Sequence, residues 1–112
     1  MGWLDANAIT QAGNYLLAVL ERDSPILYST FYDGSDERHE RLCDETGLDD
    51  WYGPEGVIDE AAYQLQALGF VTILQVNAKL ADGELDYQIE LTDVGRTKLE
   101  AGAKPAFKSV DL

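Results

Sequence analysis

Apolar residues recur at helical spacing in two long stretches of this chain. The stripe in the first stretch consists of Ile9, Ala12, Leu16, Val19 and Leu20. This spacing predicts an amphipathic helix over residues 5–22, with Asp5 or Asn7 as its N-cap. The helix should end before Pro25, because proline disfavours α geometry in the residue that precedes it.

The second stretch lies near the centre of the chain and carries Val57, Ile58, Ala61, Ala62, Leu65 and Leu68. It predicts a helix from Pro54 to Leu68, because proline suits the first helical position, where its missing N–H has no partner to lose. Gly69 marks the end of this helix, since glycine readily adopts the left-handed conformation found after helix C-termini.

The hydrophobic pattern changes from helical to extended after Gly69. A β-rich run covers residues 70–78, and apolar and polar residues alternate strictly over residues 85–91. With a turn at Asp82-Gly83 between them, these runs predict a β-hairpin. Thr92 then caps a final helix that ends near Gly102.

Shorter elements are predicted between the two long helices. Residues 26–32 form a β-prone run, expected to pair with the hairpin. Ser35 caps a second helix, which Gly47 closes. The connector over residues 49–53 is longer than a minimal turn.

The length of the chain limits it to one domain. Its 112 residues suffice for a single modest core but not for two. Residues 103–112 contain Pro105 and show little periodicity, so they are predicted to form a loosely ordered C-terminal tail. The folded domain therefore covers residues 1–102.

This order of elements resembles the winged helix-turn-helix domain of MarR-like transcriptional regulators. The likeness spans Ile9 to Gly102 and is strongest over residues 90–99, Glu-Leu-Thr-Asp-Val-Gly-Arg-Thr-Lys-Leu, at the exit from the wing into the last helix. The run Leu-Gly-Phe-Val at residues 68–71 is the second similar piece. The resemblance implies an α+β winged helix with a three-helix core and a β-hairpin wing.

The core of this predicted fold combines the apolar faces of the helices and strands. It consists of Leu16, Leu20, Leu42, Leu48, Ile58, Leu65, Leu68, Ile73, Ile89, Leu91 and Leu99. A strand anywhere between Pro54 and Leu68, or the lack of a hairpin after it, would contradict this fold.

Charge distinguishes this chain from ordinary DNA-binding domains. Its 21 acidic residues outnumber 8 basic ones, and seven acidic residues but no Lys or Arg occur between Leu42 and Ala78. Lys and Arg side chains that neutralise phosphates supply most nonspecific affinity for DNA. This stretch has no such side chain. Two explanations remain open. The protein repels nucleic acid, or it works in a very salty cytoplasm, where a screening length of about 3 Å in molar salt mutes repulsion.

In DNA-binding winged helices, the third helix lies in the major groove and the wing tip reaches the backbone. The resemblance therefore implies Tyr63 and Gln64 as readers of phosphate and base edges. Lys79 at the wing, with Arg38 and Arg41 on the second helix, would contact the DNA backbone. The function implied is a small transcriptional regulator that binds double-stranded DNA and is adapted to high salt.

The alternative is an acidic winged-helix module that binds another protein, or a DNA mimic. Asp59 and Glu60 stand on the outward face of the third helix, where they would repel phosphate. Trp51 and Tyr52 lie in the long connector and are residue types enriched in interface hot spots. Folding of Trp51 back over the core is an equally open interpretation.

Few residues offer chemistry of another kind. His39 and Cys43 are four residues apart on the second helix, but the chain has no further His or Cys to complete a metal site. A histidine packed beside a small core thiol is the simpler interpretation. No carboxylate is paired with a nucleophile or a histidine base, so we predict no enzymatic activity, no metal and no cofactor.

A cytoplasmic homodimer is predicted. Regulators of the kind that this chain resembles pair through terminal helices, and the first helix is apolar on more than one side. Trp3, Leu4 and Phe107 could extend such an interface. No leader sequence is evident, and no apolar run approaches the roughly 18 residues that span a bilayer, so no membrane contact is expected.

Overall fold

The computed structural model contains both helices and strands and describes residues 2–31, 36–48, 54–79 and 85–111. The helices in these ranges are α1 (Ala6–Asp23), α2 (Glu37–Thr46), α3 (Pro54–Ala67) and α4 (Asp93–Glu100). The strands are β1 (Gly2–Leu4), β2 (Ile26–Leu27), β3 (Val71–Lys79), β4 (Leu85–Leu91) and β5 (Val110–Asp111). The fold is α+β, as predicted. Within the described ranges, no helix combines the length and the apolar character needed to cross a membrane.

Two predicted caps fix the starts of α1 and α4. The Asp5 carboxylate accepts a hydrogen bond from the backbone N–H of Asn7 at 2.6 Å. The Thr92 hydroxyl oxygen accepts one from the N–H of Gly95 at 2.8 Å. Each bond satisfies a donor that has no partner within the helix, so both helices begin where the sequence predicts.

Helix α2 begins one residue later than predicted. The Asp36 carboxylate is its cap and accepts a hydrogen bond from the backbone N–H of Arg38 at 2.9 Å. Ser35, the predicted cap, lies outside the described residues. Gly47 ends the helix with φ 71°, the left-handed conformation that glycine adopts without a steric penalty, which confirms its predicted role.

A three-stranded antiparallel sheet in the order β2–β4–β3 packs against the helices. Ile26, Ile89 and Ile73 lie side by side across its strands on the face towards the core. The pairing of β3 with β4 confirms the predicted hairpin, although its turn at Asp82-Gly83 lies outside the described residues. The pairing of β2 with β4 confirms that the short strand joins the hairpin.

Strand β2 is shorter than the predicted run over residues 26–32. After Leu27 the chain turns into a 3₁₀ helix over Tyr28–Phe31. Asp86 on β4 is buried, and its carboxylate accepts hydrogen bonds from the Ser29 backbone N–H at 3.1 Å and the Ser29 hydroxyl at 2.6 Å. A buried carboxylate needs hydrogen-bond donors. The 3₁₀ helix supplies two of them from Ser29, so the chain does not continue as a strand after Leu27.

The core lies between α1, α2, α3 and the inner face of the sheet. Seven of the eleven predicted core residues are buried: Leu16, Leu20, Leu42, Ile58, Leu65, Ile89 and Leu91. Leu48, Ile73 and Leu99 are half-buried and pack against this core. Phe31 is fully buried at its centre but was absent from the prediction.

Leu68 is 44% exposed and does not belong to the core, contrary to the prediction. The cause is the turn that ends α3. Gly69 has φ +84°, its N–H donates to the Gln66 carbonyl, and the Phe70 N–H donates to the Leu65 carbonyl at 2.9 Å. This Schellman turn carries Phe70 into the core in place of Leu68.

The C-terminal tail packs against the domain, which differs from the loosely ordered tail that the sequence predicts. The ring of Phe107 is buried against Gly13 of α1. Strand β5 pairs antiparallel with β1 and places Val110 opposite Leu4. The prediction missed these contacts because one aromatic anchor and a two-residue strand leave no periodic signal in the sequence.

The several apolar sides of α1 are used within the chain itself. This helix lies at the centre and packs against α2, α3 and β4. Leu17 and Val19, which belong to these apolar sides, are 4% and 1% exposed. The apolar residues of α1 and the ring of Phe107 are buried within the chain, so they do not offer an exposed surface for a dimer.

Candidate functional site on helix α3

Helix α3 buries one face and exposes the other. The buried face consists of Val57, Ile58, Ala61, Ala62 and Leu65. Tyr63 lies at the centre of the opposite face and is 67% exposed, next to exposed Gln66 and Ala67. Tyr63 is therefore a predicted site residue whose side chain is open to a partner.

Gln64, predicted to read DNA bases, is occupied by the C-terminal tail. Its Nε2 donates to the Lys108 carbonyl oxygen at 2.9 Å, and its Oε1 accepts from the Lys108 backbone N–H at 2.9 Å. The two bonds bind the backbone N–H and the backbone C=O of the same residue, Lys108. A base could use this amide only after the tail had left.

The two acidic residues proposed for a partner surface also bond within the chain. The Asp59 carboxylate accepts a hydrogen bond from the Tyr28 hydroxyl. The Glu60 carboxylate accepts one from Gln64 Nε2 at 3.1 Å. Both side chains are half-buried, so they border the exposed face around Tyr63 and do not form its centre.

Arg38, predicted to contact the DNA backbone, is held by an ion pair. Its guanidinium nitrogen lies 3.0 Å from an Asp23 carboxylate oxygen, and its side chain is 24% exposed. Partial desolvation acts to raise the pKa of the Asp23 carboxyl, but hydrogen bonds from Arg22 and Arg38 outweigh it and hold that pKa below its ordinary value. Arg38 is therefore committed to joining α1 and α2.

Arg41, the other predicted backbone contact, is exposed and borders a polar groove between α1 and α2. The groove gathers Arg22, Arg38 and Arg41 around Tyr15 and has two adjoining parts of about 280 and 470 Å³. Burial raises the pKa of the Tyr15 phenol, and the positive charges of the three arginines oppose that rise. The carboxylates in the groove belong to Asp23, Asp36, Glu37 and Glu45. Because its four carboxylates outnumber its three arginines, the groove does not supply the cationic surface that DNA needs.

Sequence reasoning did not find Tyr15 and Arg22 as members of this groove. One signal was present, since Arg38 and Arg41 are three residues apart and therefore lie on one face of α2. Only the packing of α1 against α2 brings Tyr15 and Arg22 next to them.

The structure leaves three predicted site residues untested. Trp51 and Tyr52 lie outside the described residues, and of Lys79 only the backbone is described, opposite Leu85 in the hairpin. Another cation, the Lys98 ammonium, lies 5.3 Å from the centre of the Phe70 ring.

His39 and Cys43 form a small polar pair, in which His39 is buried and Cys43 is half-buried. His39 Nδ1 lies 2.6 Å from the Phe31 carbonyl oxygen, so Nδ1 carries the proton in this arrangement. Cys43 Sγ lies 3.7 Å from Nε2 of the same ring. Among the described residues, no group of three or more metal-binding side chains comes together.

The geometry therefore centres the candidate site on Tyr63 and Gln66 of α3, with Glu60 at its border and the tail beside it. Comparison with protein families, curated proteins and solved structures gives no match to this chain.

Proposed function

We propose that this protein is a winged-helix DNA-binding transcriptional regulator that works at high ionic strength. The succession of α2, α3 and the β3–β4 hairpin is compatible with a winged-helix-like arrangement. In that fold the third helix enters the major groove. The observation that carries the proposal is the open face of α3 around Tyr63.

The contact chemistry follows from the side chains on that face. Helix α3 contains no Lys or Arg, so its contacts with DNA would be hydrogen bonds and not ion pairs. The Tyr63 hydroxyl and the Gln66 amide are exposed donors for phosphate or base edges. Gln66 takes the role expected of Gln64, because the tail holds the Gln64 amide.

The test is the affinity for DNA as a function of salt. Duplexes selected from a random library are labelled, and their binding is followed by fluorescence anisotropy from low to molar potassium chloride. A basic reader loses affinity with a slope of about −0.9 for each phosphate that it neutralises. Here we expect a shallow slope, or binding that improves towards molar salt as acidic repulsion is screened.

Variants on the open face make this test specific. Tyr63→Ala should weaken binding by about tenfold, the equivalent of one good hydrogen bond to phosphate. Gln66→Lys should strengthen nonspecific binding and steepen the salt slope by about one unit. Asp59 is less suitable for such a charge change, because it bonds to Tyr28. Val94→Ala, an exposed change on α4, is the control and should leave binding unaltered.

A protein-binding module is the second candidate. It is favoured by the acidic border of the open face and by the commitment of Gln64 and Arg38 to bonds within the chain. Failure to retain any duplex at any salt concentration would contradict the regulator. If Trp51→Ala or Tyr63→Ala then abolished a protein contact, the module would replace it.

A further inference from the structure

The C-terminal tail brings a cation to the edge of α3. Gln64 holds Lys108 by its backbone, because Nε2 donates to the Lys108 carbonyl oxygen and Oε1 accepts from the Lys108 N–H, each at 2.9 Å. Gln64 directly follows Tyr63, which lies at the centre of the open face of α3. The Lys108 backbone is therefore fixed at the border of that face.

The two neighbours of Lys108 in the chain face the body of the domain. The Phe107 ring is buried against α1, where a β-carbon built on Gly13 would lie 2.2 Å from its Cζ atom. The Ser109 hydroxyl oxygen accepts a hydrogen bond from the Ala6 N–H at 2.9 Å. Lys108 lies between them and is exposed. Successive side chains of an extended segment point to opposite sides, so the Lys108 side chain points away from the body into solvent.

The Lys108 ammonium is not used within the described part of the chain, where it forms no ion pair. The Lys98 ammonium, in contrast, lies over the Phe70 ring. Glu60, the acid at the same border of α3, accepts its hydrogen bond from Gln64 Nε2 at 3.1 Å. Helix α3 itself has no Lys or Arg. The tail thus places next to α3 the charge that this helix lacks.

We propose that Lys108 is the phosphate-binding cation of the α3 site, and that Gln64 and Phe107 are positioning residues that hold it beside the helix. This role rests on the proposed DNA-binding function and supplies the ion pair that α3 cannot make. A helix in the major groove runs between two phosphate backbones. An exposed lysine at the border of that helix, on a flexible four-carbon stem, is placed to contact one of them.

The two parts of the site then have different tasks. Phosphate contacts fix the register of a protein on the duplex, whereas contacts with base edges read the sequence. Lys108 performs the first task, and the open face around Tyr63 performs the second. Gln64 serves DNA binding through Lys108 and not by reading a base, because its amide is bound to the Lys108 backbone.

The salt dependence of DNA binding by full-length Lys108→Gln tests this role. Wild type and variant are titrated against a labelled duplex, selected on the wild type from a random library, from low to molar potassium chloride. One neutralised phosphate contributes about −0.9 to the slope, so the ratio of the two affinities should fall about eightfold over a tenfold rise in salt. Lys108→Arg keeps the charge and should keep the wild-type slope. Lys104→Gln is the matched control and should leave the slope unaltered, because no described hydrogen bond ties Lys104 to α3.

Release of the tail tests the positioning residues. Gln64→Ala and Phe107→Ala keep the Lys108 charge but free the tail, so each should weaken binding at low salt. Adding Lys108→Gln to either variant should then have a much smaller effect than in the wild type. Circular dichroism establishes that every variant folds.

The possible outcomes separate this role from the proposed function. If the wild type binds DNA and Lys108→Gln has the same slope, the role of Lys108 is overturned and the regulator stands. An equal effect of Lys104→Gln would show that total charge determines affinity, and stronger binding after release of the tail would show that the tail shields α3. Each of these two results would also overturn it. A wild type that retains no duplex at any salt concentration would overturn both.

Discussion

The backbone of Phe70 passes directly over Gly95 at the junction of the hairpin and α4. A β-carbon on Gly95 would lie 2.3 Å from the Phe70 carbonyl oxygen and 2.8 Å from its Cα. The same carbonyl accepts a hydrogen bond from the Thr92 N–H at 3.0 Å. Gly95 is therefore required by close approach of two backbones, because neither can move without breaking the start of β3 or of α4.

Gly95→Ala should destabilise the fold. In an open helix this change is stabilising by up to about 1 kcal/mol, but overpacking costs about 1–3 kcal/mol. We expect a net loss of about 1–2 kcal/mol, measured by urea unfolding, because a 2.3 Å contact with backbone places the cost at the upper end of its range. Val94→Ala changes the neighbouring exposed residue and should alter stability by less than about 0.5 kcal/mol. Equal effects of the two changes would contradict the close-packing explanation.

Gln64→Ala should loosen the tail. The change removes both hydrogen bonds to Lys108 and leaves the buried face of α3 intact. The Lys108 amide should then exchange with solvent about tenfold faster in hydrogen-exchange experiments, since one or two net hydrogen bonds are lost. Gln66→Ala, two residues away and exposed, is the matched control. Unchanged exchange in Gln64→Ala would show that Phe107 alone anchors the tail.

Asp23→Asn should change the acid limb of the stability curve. A carboxyl with a lower pKa in the folded state stabilises the fold above its unfolded pKa, near pH 4, and loses that contribution as the pH falls through the folded value. The variant should therefore lose less stability than wild type on acidification below about pH 4. Because the pair is exposed, high salt should shrink the difference. Glu90→Gln, which removes another exposed carboxylate, is the control.

Tyr15→Phe should remove a late step from the alkaline titration. Burial raises the pKa of this phenol, and the nearby arginines only partly oppose the rise. Raising the pH above about 10 forces the folded protein either to bury a tyrosinate or to open the groove. The late component of tyrosinate absorbance in the wild type should be missing in the variant. If Tyr63→Phe removed that component instead, the assignment to Tyr15 would fail.

The sequence predicted the elements whose causes are local. Asp5 and Thr92 cap their helices, Gly47 closes α2, and the alternation over residues 85–91 forms β4. Each depends on hydrogen bonds or side-chain directions within a few residues, and such interactions repeat from one protein to another. Leu68 was wrongly predicted as a core residue, because the Schellman turn after α3 leaves it exposed and buries Phe70.

The composition of the open face was also predictable in part. Helical spacing alone places Tyr63 opposite the buried stripe of α3, and the structure exposes it there. The same spacing placed Gln64 on that face, yet its side-chain amide is bound by the backbone of Lys108, 44 residues away. Whether a polar side chain can bind a partner depends on which other parts of the chain contact it, and the periodicity of the sequence does not show those contacts.

The sequence by itself determined where the α-helices and the two hairpin strands of this protein lie, which faces are apolar, and that α3 has no cation. Tertiary structure alone decided that Phe107 fills the space above Gly13, that Arg38 pairs with Asp23, and that Asp59 bonds to Tyr28. The physical reason is distance along the chain. A hydrophobic period or a cap depends on neighbours, whereas these contacts join residues that come together only when the core has formed.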